Sequence, residues 1–86
     1  MHVRVRFVGS LGRVTRREVE MTLPDGSVVG DLLRELSETY PNLGSLDTAK
    51  GILIVMDGVE AGNLQGLDTP LTEDGEVTLV PVAHGG

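Results

Sequence analysis

The chain has 86 residues, 40% of them hydrophobic, with a net charge of −6 and a pI near 4.6. That length holds one small domain with one core and leaves no second domain for a separate substrate. The acidic balance argues against nucleic acid as a direct partner, since phosphate binding needs clustered Lys and Arg, and the lack of cysteine removes disulfides and thiolate metal sites.

From the start of the chain, Val3, Val5 and Phe7 alternate with His2, Arg4 and Arg6, the period of a half-buried strand. Gly9-Ser10-Leu11-Gly12 reads as a turn. Beyond it Val19, Met21 and Leu23 interleave with Arg17, Glu18 and Glu20, so the first two segments form an antiparallel hairpin, closed by Pro24-Asp25-Gly26. Ser27 is placed to cap a helix whose apolar face is Val29, Leu32, Leu33, Leu36 and Tyr40, and Pro41 stops it. An irregular connection from Asn42 to Lys50 leads to Ile52-Leu53-Ile54-Val55-Met56, a run without alternation that fits a strand buried on both faces. Asp57-Gly58 is a hairpin turn. Leu64 to Leu71 reads as a loop or short helical turn, and a final strand covers Glu76 to Val82, its loose alternation fitting a central position.

A single amphipathic helix must cover one face of a mixed sheet. A right-handed crossover sets the last strand parallel to and beside the first. The expected fold is therefore α+β, a β-grasp in which a mixed sheet is covered by one main helix. The domain spans residues 1–80, and a flexible tail, 81–86, projects from the end of the central strand. The first residues lack the charged-then-apolar pattern of a leader, and the Ile52 to Met56 run is too short to span a bilayer, so a soluble, cytoplasmic protein without membrane contact is expected.

The tail reads Pro81-Val82-Ala83-His84-Gly85-Gly86. Without Cβ atoms, Gly85 and Gly86 can thread a narrow channel and bring the terminal carboxylate to a nucleotide phosphate. A carboxylate is inert toward amines and sulfide until it is activated, usually by ATP as an acyl-adenylate, which makes such a chain the substrate of an enzyme. A frayed end is the plain alternative. His84 could assist acyl transfer, although a solvent-exposed contact for partners is the simpler reading. His2 and His84 have no metal-ligand spacing. Asp68, Glu73, Asp74 and Glu76 read as a solvated rim, and Arg13, Arg16 and Arg17 as charges that protect an edge strand. Lys50 is the single lysine and reads as an ordinary loop residue. With no nucleophile and base pair, phosphate loop or metal cluster, the chain is not expected to be an enzyme or to bind a cofactor.

In several places the sequence resembles the ubiquitin-like sulfur-carrier and modifier family, which includes the MoaD and ThiS carriers, the small archaeal modifier proteins and the ubiquitin-related modifier. Val28-Val29-Gly30-Asp31-Leu32-Leu33 is similar to the helix start of MoaD-like proteins and Tyr40-Pro41 to its exit. Ile52 to Gly58 resembles the family's third strand and turn, and Leu71 to Val77 its approach to the last strand, with Glu76 where the family has Asp. Pro81-Val82-Ala83 is similar to the MoaD ending and His84-Gly85-Gly86 to that of the ubiquitin-related modifier.

The resemblance implies that an ATP-dependent enzyme of the ubiquitin-activating type adenylates Gly86, with Gly85, His84, Ala83 and Pro81 as partner contacts. A sulfur donor then yields a thiocarboxylate. From there the sulfur passes to molybdopterin, through the large subunit of molybdopterin synthase, to thiamin thiazole, or to tRNA through a thiolation enzyme. In some members the glycine is instead joined to target-protein lysines. The alternative is a β-grasp module that binds partners non-covalently through its sheet.

Overall fold

The computed structural model describes residues 1–11, 17–43 and 51–82. The first hairpin follows the sequence pattern. Strand β1 (His2–Phe7) buries Val3, Val5 and Phe7 and exposes the three residues between them, and β2 (Glu18–Thr22) buries Val19 and Met21. They pair antiparallel, with Val3 opposite Met21 and Val5 opposite Val19, so both strands turn the same face inward. Ser10 and Leu11 are helical where a turn was expected. The proposed charges Arg13 and Arg16 lie outside the described residues, and Arg17 is exposed just before β2.

Helix α1 (Val29–Thr39) buries Val29, Leu32, Leu33 and Leu36 completely. Its N-terminus corrects the expected cap. Val28 stands at the cap position, and its backbone N–H donates to the Asp31 carboxylate at 2.9 Å, leaving a one-sided cap because valine offers no acceptor. The Ser27 hydroxyl turns back to donate to the Pro24 carbonyl at 2.7 Å and so closes the preceding turn. At the other end the Tyr40 N–H donates to the Leu36 carbonyl at 2.8 Å, and Pro41–Leu43 makes a 3₁₀ turn.

Strand β3 (Ile52–Met56) turns through Asp57-Gly58 into the short β4 (Val59–Glu60). Asp57 has φ 47° and Gly58 φ 88°, the left-handed pair that a two-residue hairpin of this twist requires. Two 3₁₀ turns, Ala61–Asn63 and Gly66–Asp68, carry the chain to β5 (Gly75–Pro81). The sheet has five strands in the order β2-β1-β5-β3-β4. Strand β5 runs parallel to β1, with Val77 beside Val5, and antiparallel to β3, with Leu79 beside Ile54. This is the expected β-grasp, with its last strand central.

The inner face of the sheet and α1 enclose an aliphatic core with Phe7 at one end. Burying one such side chain contributes about 1.5–3 kcal/mol. The expectation that β3 is buried on both faces does not hold. Ile54 and Met56 are buried, but Leu53 is 37% exposed and Val55 half-buried, because α1 covers the inner face and no element packs on the outer one among the described residues. Truncating Leu33 or Leu36 to Ala should therefore destabilise the protein by about 2–5 kcal/mol, the cost of a core cavity. Urea denaturation measures it, and a loss near zero would refute this packing of α1.

Candidate functional site

The last strand is gripped on both flanks as it leaves the sheet. On one flank the Val8 N–H donates to the Leu79 carbonyl at 3.2 Å; on the other the Val82 N–H donates to the Gly51 carbonyl at 2.8 Å. Backbone N–H groups alternate in direction along a strand. With the Val82 N–H aimed at β3, the nitrogen of Pro81 faces the side where β1 has already ended. Proline there costs no ladder bond, which is how a central strand tolerates one. Pro81 lies opposite Ile52, half-buried, with its ring beside Gly9.

The described chain stops at Val82. Of the residues expected to carry the chemistry, Pro81 is therefore placed at the root of the tail, whereas Ala83, His84, Gly85 and Gly86 lie outside the described residues, as does Lys50. Strand pairing reaches Pro81 and hydrogen bonding reaches Val82, past residue 80, where the domain was expected to end.

The outer face of the sheet has two halves. Over β1, β2 and the start of β5 it is charged: Arg4 Nε lies 3.2 Å from Glu18 Oε1, and Arg6 lies 3.8 Å from Glu76. Such exposed pairs contribute about 0.2–1 kcal/mol each and serve mainly to keep this half polar. Over β3 and the end of β5 it is aliphatic. Leu53 lies opposite Val80 and Val55 opposite Thr78, and Val82, 45% exposed, follows Val80 in the alternation of the strand. An apolar strip thus borders the point where the chain leaves the sheet.

A further contact was invisible in the sequence. His2 donates its backbone N–H to Glu73 at 3.1 Å, and its ring Nδ1 lies 3.0 Å from the same carboxylate, across a separation of 71 residues. With Asp74 these groups place one nitrogen and two carboxylates within 4.8 Å of one another. All three residues are exposed, and both Glu73 oxygens already accept from His2, so the cluster works as a tie between the start of β1 and the turn before β5. No buried polar side-chain atom lacks a partner among the described residues. None of their helices is long and apolar enough to cross a membrane.

The ThiS family model matches residues 5–86. The chain belongs to the ThiS family. Solved structures share its fold. The small archaeal modifier protein 1 of Methanosarcina acetivorans is 26% identical with a TM-score of 0.81, over 99% of this chain and 96% of that one. Urm1 of Trypanosoma brucei is 22% identical with a TM-score of 0.75, over 99% and 95%. The Amycolatopsis orientalis BexX/CysO complex contains a chain 16% identical with a TM-score of 0.74, over 98% and 99%. No functionally curated protein matches in sequence. This ThiS-family chain is a small ubiquitin-like sulfur carrier or modifier.

Glu73 generates a pH prediction. Hydrogen bonds from the His2 ring and then from the His2 backbone hold its carboxyl below the usual carboxylate range. A lowered folded-state pKa gives stability that is present above the unfolded value and lost as pH falls through the folded one. Glu73→Gln should therefore be less stable than the native chain near neutral pH, with the gap closing in the acid range. Denaturation midpoints across a pH series test this, and a gap that stays constant with pH would refute it.

Proposed function

We propose that this protein is the substrate of an adenylating enzyme of the ubiquitin-activating type, with the carboxylate of Gly86 as its reactive group. The observation that carries the proposal is a family match that runs through Gly86 itself. In the first step the carboxylate attacks the α-phosphorus of ATP, forming an acyl-adenylate and releasing pyrophosphate. In the second, hydrosulfide attacks the acyl carbon, the bond from that carbon to the phosphate oxygen breaks so that AMP departs, and loss of the S–H proton leaves a thiocarboxylate. ATP and its metal belong to the enzyme; this chain supplies a narrow end. From the thiocarboxylate, sulfur goes to molybdopterin or tRNA, or the activated glycine is joined to a lysine of a target protein.

Two features support the reading. Among the described residues the core ends before Pro81, which suits a tail that enters a partner. The strip formed by Leu53, Val55, Val80 and Val82 lies beside that exit, where apolar contact with an activating enzyme would hold the body while the tail reaches the nucleotide.

The test is the intact mass of the protein after incubation with ATP, its adenylating enzyme and a sulfide donor. Replacement of one carboxylate oxygen by sulfur is expected, and it should be absent from a chain lacking Gly86. No change beside an enzyme active on its known substrate would point to the non-covalent module instead. A second expectation concerns the strip. Leu53→Asp should weaken binding to that enzyme about tenfold or more while leaving the melting temperature nearly unchanged, since an exposed hot-spot side chain contributes about 1–2 kcal/mol or more to an interface. Titration calorimetry measures the loss, and unchanged affinity would remove the strip from the interface.

A further inference from the structure

The loop that leaves β1 touches the place where the chain leaves β5. Gly9 has φ 59°, and a Cβ built on it would lie 3.3 Å from Cγ and 3.7 Å from Cδ of Pro81. A Cβ at 3.3 Å is tight enough that the proline ring must give by a few tenths of an ångström to admit it. That ring also fixes φ, so Pro81 is a stiff link between Leu79, the last core residue of the strand, and Val82 at the root of the tail. The flanking bonds, Val8 to Leu79 and Gly51 to Val82, hold the strand against sideways relief. Gly26 supplies the contrast. It too is left-handed, at φ 88°, but nothing lies within 4 Å of where its Cβ would stand. A side chain at either position strains the backbone; at Gly9 alone it also pushes Pro81.

We propose that Gly9 is a positioning residue for activation: its bare Cα lets Pro81 seat against the exit of β1, and that seat sets the direction in which the chain leaves β5. The inference rests on the reading of Gly86 as the activated end. Five residues beyond Pro81 reach at most about 17 Å when fully extended. A tail drawn straight into a channel therefore has little slack with which to absorb a displaced root, and the error arrives at the carboxylate. Docking of the body through Leu53 and Val80 lies on the outer face and does not depend on Gly9.

The experiment follows adenylation by ATP–pyrophosphate exchange for the native chain, Gly9→Ala, Gly26→Ala, Pro81→Ala and the double variant, with a melting curve for each. A displacement of about 1 Å can cost about a hundredfold in rate, so the few tenths of an ångström forced by Gly9→Ala should lower kcat about threefold to tenfold, with KM within about twofold. Gly26→Ala should lower the melting temperature comparably and leave kcat unchanged. In the Pro81→Ala background, where Cγ and Cδ are gone, adding Gly9→Ala should lower kcat no further. An unchanged kcat for Gly9→Ala, an equal loss in Gly26→Ala, or additive losses in the double variant would each overturn the proposal while leaving the reading of Gly86 intact. A native chain that is not adenylated overturns both.

Discussion

Everything in this fold depends on β5 lying between β1 and β3. The hairpin of β1 and β2 and the hairpin of β3 and β4 share no sheet hydrogen bonds with each other; each is joined to the rest through the last strand. Two-stranded hairpins are marginal in water. Val77 and Leu79, fully buried, are also the residues through which the sheet presents a continuous inner face to Leu32, Leu33 and Leu36. The same strand that completes the core leads to the proposed reactive end, so its anchoring and its exit are parts of one structure.

Helix α1 can cover only one face, and the residues each strand turns outward set the character of the uncovered one. Strands β1 and β2 contribute His2, Arg4, Arg6, Glu18 and Glu20; β3 contributes Leu53 and Val55. Because β5 lies between them, its outward residues pass from Glu76 beside Arg4 to Val80 beside Leu53. The face changes from polar to aliphatic along a single strand, and the aliphatic end coincides with the exit. A partner that reads the strip is thereby brought to the tail.

Much of this was legible in the sequence where the signal is local. Alternation in β1 and β2, the spacing of Val29, Leu32, Leu33 and Leu36, and Asp57-Gly58 each report a period or a turn that neighbouring residues enforce. The apolar run of β3 carries no period, so it could not say that one of its faces is open; the count of one helix against two sheet faces held that answer. Ser27 has the chemistry of a cap, but the bridge between Val28 and Pro70 fixes the chain one residue later. The tie between His2 and Glu73 and the packing of Pro81 on Gly9 join residues about 70 apart, a distance at which no local pattern operates. At the candidate site, Pro81, Gly85 and Gly86 were legible as residue types, while the grip of Val8 and Gly51 on the strand required the fold.

The central place of β5 has a consequence for the quality of the pool of carriers in a cell. A chain cut before Val77 by proteolysis or incomplete synthesis loses the tail and the keystone strand in the same stroke. Two separate hairpins and a helix without a floor remain, a species that proteases remove. A defective copy that kept the apolar strip but lacked the proposed reactive end would occupy a partner to no purpose, and a break before Val77 does not produce one.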